Sequence, residues 1–271
     1  MAEAKLNAIL VWRQEVAPGL AIIRVVPDGW ELPEFEPGQF AVLGLPGESP
    51  RLPGADPEDP PPKPDLLIRR SYSIASSSKQ KEYLEFYLAL VRSGALTPRL
   101  FALPLGHKLW LGPKFSGLFT LKEVPPTANL VLVATGTGLA PYMSMLRTHL
   151  AGDSGRRTAV IHGARHSWDL GYRHELTALA QQFPHFSYIP TISRPELERQ
   201  PWLGEKGHVQ EVWRRGVIAR LWGLALTPAN THVFLCGSPR MVDDMLTLLT
   251  GEGFFQHTKQ RPGQVHTEKY W

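Results

Sequence analysis

Up to about residue 122 the apolar positions come in short runs, β-branched or aromatic, broken by Pro and Gly. AILVW (8–12) and LAIIRVV (20–26) flank an Ala-Pro-Gly turn, and QFAVLGL (39–45) follows Pro37-Gly38. SYSIAS (71–76), YLEFYLALV (83–91), HKLWLG (107–112) and GLFTL (117–121) complete the set. Short runs at this spacing predict an antiparallel sandwich or barrel. The one helical segment of this half is TPRLFAL (97–103), with Thr97 as N-cap and Pro98 at the first helical position. From Asn129 onward the pattern changes to strand then helix. NLVLVA (129–134) is continuously apolar, as a strand covered on both faces should be. LAPYMSMLRTHLA (139–151) has helical spacing. TAVIHGA (158–164), FSYIPTIS (186–193) and THVFLC (231–236) read as further strands, with GYRHELTALAQQF and HVQEVWRRGVIARLW as helices between them and PRMVDDMLTLLT after the last. Alternating strand–helix units predict a parallel, doubly wound sheet.

The two patterns meet in KEVPPTA (122–128), where Pro125-Pro126 continues neither helix nor sheet. Two domains follow, 1–122 and 123–271. Residues 46–64, PGESPRLPGADPEDPPPKP, hold eight prolines and read as a loop of polyproline character. It is either a surface insertion in the barrel or an SH3-type ligand.

Composition narrows the class. A hydrophobic fraction of 43% with 20% charged residues is that of a globular protein. No stretch approaches the ~18 apolar residues of a membrane span. The N-terminal apolar run of five residues before Arg13 is shorter than a secretory signal needs, so a cytoplasmic location is expected. The one cysteine, Cys236, builds no disulfide, cysteine zinc site or iron–sulfur cluster within the chain. His174-Glu175 lacks the second His of a zinc-binding H-E-x-x-H helix, and His162 and His166 fall at a strand end, solvated or satisfied locally. No metal is expected. There is no G-x-S-x-G nucleophile elbow. The net charge is +4 and the pI about 9.2, without the clustered basic run of a nucleic-acid binder. That balance suits an acidic protein partner or a phosphate-bearing ligand. After residue 122, twelve of the fifteen basic residues are Arg, the better bidentate phosphate ligand, although a bias toward Arg codons gives the same excess.

Three constellations carry chemistry. In Arg70-Ser71-Tyr72-Ser73, Arg70 and Tyr72 share one strand face. A guanidinium beside a phenol ring suits a phosphate next to a flat aromatic system, though Tyr and Ser also populate ordinary half-buried strands. Gly136-Thr137-Gly138, followed by Pro141, links an apolar strand to a helix. Glycines there let the backbone approach a pyrophosphate, with free N–H groups behind it. Pro141 stands where the usual dinucleotide fingerprint has its third Gly. Cys236-Gly237-Ser238-Pro239-Arg240-Met241 is a second strand end opening a helix, where parallel sheets bind ligands. Cys236 is equally a packed small hydrophobe.

In order and spacing these motifs resemble the ferredoxin–NADP reductase family over nearly the whole chain. RSYSIAS resembles the family's flavin motif R-x-Y-S-x-x-S, GTGLAP its pyrophosphate loop G-T-G-x-x-P, and CGSPRMV its C-G-x-P-x-M segment. ALTPRLFAL and the terminal TEKYW resemble the bacterial branch. The resemblance implies an antiparallel β-barrel FAD-binding domain followed by an α/β doubly wound parallel-sheet NADP-binding domain, whose C-terminal tail returns to the FAD. Arg70, with Ser71, would hold the FAD pyrophosphate, Tyr72 would stack on the flavin, and Tyr87 would be a second flavin-side tyrosine. Ala95, Leu96 and Thr97 would bind FAD phosphates. Gly136, Thr137, Gly138, Ala164, Arg165, Ser193, Arg194, His208, Ser238, Pro239, Arg240 and Asp244 would form the NADP side. Thr267, Glu268, Lys269, Tyr270 and Trp271 would lie against the FAD. The catalytic group implied is Ser73, near the reactive flavin nitrogen, Cys236, beside the nicotinamide, and Glu268. His208 stands where the bacterial branch usually has an Arg for the 2′-phosphate, and the proline-rich stretch before RRSYS is longer than in that branch. Dihydroorotate dehydrogenase electron-transfer subunits share this fold but need a cysteine cluster, and cytochrome b5 reductases usually read R-P-Y-T.

The expectation is an FAD-containing oxidoreductase moving electrons between NADPH and a one-electron carrier, an acidic ferredoxin or flavodoxin, and working as a monomer without nucleic acid or membrane. The alternatives are an NAD(P)H-dependent flavin reductase and a non-catalytic, nucleotide-binding redox-sensing subunit.

Overall fold

The computed structural model describes residues 5–152 and 155–269. It divides into two compact units, Met1–Thr120 with Met143–Thr148, and Leu121–Tyr142 with His149–Trp271.

The first unit is built on strands β1 (Ala8–Ala17), β2 (Leu20–Pro27), β3 (Phe40–Pro46), β4 (Leu67–Ser73), β5 (Leu84–Ala89) and β6 (Lys108–Leu111), with helix α1 (Thr97–Ala102). Their order is β4-β3-β6-β1-β2-β5, antiparallel throughout. A bridge between Ile74 and Phe86 joins the two edge strands and closes the sheet into a barrel. Alternate residues point inward: Ala8, Leu10, Ile23, Val25, Leu43, Leu45, Leu84, Phe86 and Leu88 fill the interior, and Leu100 of α1 packs among them. Burying each larger side chain contributes roughly 1.5–3 kcal/mol.

The second unit contains β7 (Asn129–Thr135), β8 (Thr158–Ala164), β9 (Phe186–Ile192), β10 (Glu205–Lys206), β11 (Thr231–Gly237) and β12 (Val265–Lys269). All are parallel, in the order β10-β9-β8-β7-β11-β12. The helices are α2 (Ala140–His149), α3 (Arg173–Gln182), α4 (Val209–Arg214), α5 (Val217–Trp222) and α6 (Pro239–Gly251). Val131, Val133, Ile161, Val233 and Leu235 pack against Val212, Trp213 and Ile218 of α4 and α5 and Met241 and Met245 of α6. Only the first strand has its successors on both sides, β8 on one and β11 on the other, so the chain reverses direction across the sheet between β7 and β11.

Four details differ from the sequence expectation. GLFTL forms no strand; a single bridge from Ser116 to Phe40 ends the pairing. The helix expected over 208–222 breaks at Gly216, whose φ of +62° separates α4 from α5. Thr97 is the first residue of α1, not its cap: Leu96 holds that position, and the Thr97 hydroxyl instead accepts from Val91 N at 3.0 Å. The edge strands β10 and β12 carry no apolar pattern and were not expected. Among the described residues, no helix is long and apolar enough to cross a membrane.

Candidate functional site

In the first unit, Arg70, Ser71, Tyr72 and Ser73 occupy the end of β4, paired with Leu43, Val42, Ala41 and Phe40 of β3. Arg70 and Ser71 are exposed, Tyr72 is half-buried and Ser73 is buried. Burial pushes the Tyr72 hydroxyl above its ordinary value, with the neighbouring Arg70 charge pulling against it. Its ring is therefore a neutral, largely apolar surface at working pH. Tyr87 lies on β5, opposite Ile22, 3% exposed.

A cavity of about 650 Å³ opens on this strand. Its wall runs back along β4 through Arg70, Arg69, Ile68, Leu67 and Leu66, then across Ser93 and Ala95. The opposite wall is the proline-rich loop: Pro57, Glu58, Asp59, Pro60 and Pro62. Arg70 and Ala95 thus meet at one cavity, with Leu96 and Thr97 following Ala95 into α1. The loop's part in this site was not legible in the sequence. The available signal was its position, ending just before RRSYS.

In the second unit, the strand ends meet at the β7–β11 crossing. Thr135 ends β7, and Gly136, with φ +56°, begins a 3-10 turn that runs through Leu139 into α2. A Cβ on Gly136 would meet nothing within 4 Å, so the loop presents bare backbone to open space. A Cβ on Gly138 would lie 2.2 Å from the Cys236 carbonyl oxygen, so only Gly lets this turn close on β11. Ser238 N donates to the Thr135 hydroxyl at 3.1 Å, and the Ser238 hydroxyl caps α6 by accepting from Met241 N at 3.2 Å. Pro239 opens α6, and Arg240 pairs with Asp244 one turn on, at 3.8 Å. Cys236 is fully buried, between Ala134 of β7 and Glu268 of β12. Tyr142 is buried nearby and donates to Val133 O at 3.1 Å. Burial first, then Cys236 and Glu268, push its hydroxyl well above the ordinary value. Thr267 accepts from Gln256 at 3.0 Å, and Lys269 pairs with Asp243 at 2.6 Å. Tyr270 and Trp271 lie outside the described residues.

A second group gathers at the ends of β8, β9 and β10. Ser193 N donates to Ala164 O and Arg194 N to Arg165 O, both at 3.0 Å, which extends the pairing beyond the strands. The turn after Arg165 is pinned by Glu198, which accepts from Ser167 N at 2.8 Å and its hydroxyl at 2.6 Å. Arg165, which pairs with Asp169 at 3.8 Å, and Arg194, Lys206 and His208 are all exposed here, at the C-terminal edge of the sheet. His162 and His166 behave differently from one another. His166 stacks on Trp168. His162 is fully buried, with one ring nitrogen 3.1 Å from the Tyr188 hydroxyl and the other without a partner.

A closed antiparallel barrel with an exposed Arg beside a half-buried Tyr at a strand end, and a parallel sheet with a glycine turn at its switch point, point to the class of two-domain, dinucleotide-binding oxidoreductases. Residues 132–246 match the family model described as oxidoreductase NAD-binding domain. The flavodoxin/ferredoxin–NADP reductase of Escherichia coli (strain K12) is 31% identical over 239 residues, covering 88% of both chains. Ferredoxin–NADP reductase B of Sorangium cellulosum (strain So ce56) is 36% identical, covering 87% of this chain and 85% of that one. The fold is that of a ferredoxin NADP+ reductase from Neisseria gonorrhoeae solved with bound FAD and NADP, at a TM-score of 0.78, 24% identity and 97% coverage of each chain. The chain belongs to the flavodoxin/ferredoxin–NADP reductase family.

Proposed function

We propose that this chain is an FAD-dependent oxidoreductase that moves electrons between NADPH and a small one-electron carrier protein, a ferredoxin or flavodoxin. Residues 1–122 take the FAD and residues 123–271 the nicotinamide nucleotide. The observation that carries the reading is the glycine turn at the β7–β11 crossing, where Gly138 has no room for a side chain and Gly136 faces open space. Gly138 lets the turn pack on β11, and the bare backbone at Gly136, which no packing contact requires, fits the approach of a pyrophosphate. The donor set of the first unit fits equally. Arg70 offers a fork to phosphate oxygens, and the neutral Tyr72 ring offers a face for a flat aromatic group.

When bound, FAD accepts two electrons as hydride from NADPH and releases them singly. The chain's own residues orient and exclude. Arg70 and the Ala95–Thr97 backbone hold phosphate, Tyr72 and Tyr87 bound the flavin, and Ser73 supplies a hydroxyl near it. Gly136–Gly138 and Ser238 receive the nicotinamide nucleotide's pyrophosphate. Cys236 and Glu268, on neighbouring strands, shape the nicotinamide end. Arg165, Arg194 and His208 favour the extra 2′-phosphate of NADPH, with Ser193 beside them. The +4 charge suits an acidic carrier, and a cytoplasmic monomer is the form proposed.

The test is anaerobic titration of the purified yellow protein with NADPH and, separately, NADH, followed by flavin absorbance. Bleaching by NADPH at lower concentration than by NADH is expected, followed by reoxidation on adding a ferredoxin or flavodoxin. A flavin that neither nucleotide reduces would overturn the function, and equal use of both would overturn the NADP assignment.

A further inference from the structure

Three imidazoles stack at the edge of the second unit's sheet. His232 lies on β11, His266 on β12, and His257 in the chain that leads from α6 to β12. The His266 ring is buried and lies flat on Phe234, with ring centres 4.2 Å apart, and the His257 ring stacks on it at 4.6 Å. His232 Nδ1 is 3.1 Å from His266 Nε2. One of those nitrogens donates and the other accepts, so the bond needs an imidazole lone pair. A second lone pair is used at His257, whose Nδ1 accepts from Gly263 N at 3.4 Å while its Nε2 lies 2.9 Å from Glu123. Gly263 stands two residues before β12. The charged groups facing the stack are Glu123, ahead of β7, and Arg156, ahead of β8, whose charge bears on His232.

β12 is the edge strand of its sheet, five residues long, and of these only Val265 and His266 are buried. β11 keeps β7 as a partner on its other side. The register sets Phe234 against His266 and Cys236 against Glu268, so the stack and the Cys236–Glu268 pair share one face of the two strands, two residues apart. We propose that the His232–His266–His257 stack is an acid-sensitive latch: while its imidazoles are neutral it clamps β12 to β11, and proton uptake at the stack releases β12, with Glu268, from a sheet that otherwise stays folded. Each lone pair that holds the stack is a proton acceptor, and a proton placed on it sets one N–H against another. Charges on neighbouring rings then repel as well. Burial lowers the His266 pKa to about 3, with His257 and His232 adding to the shift, and burial also lowers His232. In a released strand His266 returns to about 6.5. The latch is therefore fully closed above pH 6.5 and weakens as pH falls below it. Releasing a short edge strand exposes little apolar surface, so it needs less free energy than unfolding the sheet.

The experiment follows amide hydrogen exchange of the purified full chain at half-unit steps from pH 7.5 to 5, with protection factors taken for β12 and for the centre of β8. Wild type, His266→Phe and His232→Gln are compared. His266→Phe keeps a ring to stack on Phe234 but takes no proton. In wild type β12 is expected to be less protected than β8 throughout, its protection falling below pH 6.5 by about tenfold per pH unit for each imidazole that takes up a proton on release. In His266→Phe that fall should be shallower by about tenfold per pH unit. His232→Gln removes the partner ring without altering β12. It should flatten the fall too, and it is read by the same criterion if His266→Phe does not fold. Equal protection of β12 and β8 at every pH would mean that the strand leaves only when the whole unit unfolds, and would overturn the proposal. So would a loss of β12 protection with pH that neither variant changes.

Discussion

Single residues at the β7–β11 crossing are constrained by backbone and not by side-chain chemistry. Gly138 sits where an added methyl would meet the Cys236 carbonyl at 2.2 Å and the Gly237 nitrogen at 2.7 Å. Neither is the free end of a flexible side chain, so Gly138→Ala must push the turn away from β11. Overpacking of this kind costs about 1–3 kcal/mol. The displaced turn also withdraws backbone N–H groups from the proposed pyrophosphate. Gly138→Ala should therefore lower the unfolding midpoint and raise KM for NADPH roughly tenfold or more, about 1.4 kcal/mol of lost binding. Flavin content should stay at the wild-type level. Steady-state kinetics with equilibrium unfolding check this, and a wild-type KM in the variant would remove the turn from the nucleotide site.

At the scale of elements, α6 shows how one residue serves stability and ligand together. The Ser238 hydroxyl caps the helix, and its backbone N–H is held by Thr135. Ser238→Ala should cost about 0.5–2 kcal/mol in denaturant unfolding. Ser238→Asp should recover that loss, since Asp caps equally well, yet bind NADPH more weakly because a carboxylate then faces the incoming phosphates. Recovery of both properties by Asp would show that the helix start does not meet the nucleotide. Elements such as α6 were legible because Pro239 and the apolar spacing behind it are local signals. So was the Arg70–Tyr72 face, which needs only strand alternation. β12 was not: VHTEK is polar along most of its length and becomes a strand through backbone pairing with β11, more than 25 residues earlier. The ion pair of Glu58 with Arg99 was hidden for the same reason, its two members lying 41 residues apart. GLFTL erred in the opposite sense, its apolar composition suiting a strand that no neighbour offers to pair.

Across the whole molecule, the proposed cofactor sites are lined by charged groups held near the surface, and the sheet of the second unit hides titratable groups deep inside. His162 is fully buried on β8, and burial lowers its pKa to about 3. His266 on β12, stacked on Phe234 and 3.1 Å from His232, is likewise lowered to about 3, first by burial and then by His257 and His232. Burial also lowers His232. In the unfolded chain each imidazole takes up its proton near pH 6.5. Between pH 6.5 and 3 the unfolded state therefore binds protons that the folded state refuses, and stability falls as pH falls. Their contribution is fully present above pH 6.5. Each such group adds a slope of up to about 1.4 kcal/mol per pH unit. This loss begins well before carboxylates start to protonate near pH 4.5, so it has a window of its own. The second unit should thus lose stability steadily from pH 6.5 to 4.5, with Glu58, whose carboxylate is held low chiefly by the Arg99 hydrogen bond, adding its loss in the first unit only below that range. Equilibrium unfolding at half-unit steps would show it, with tryptophan fluorescence following Trp213 and Trp222 in the core beside β8. His162→Gln should flatten the slope by about 1.4 kcal/mol per pH unit across that window, whatever its effect on stability at pH 7. An unchanged slope in that variant would mean that the folded protein does not hold this imidazole below its ordinary pKa.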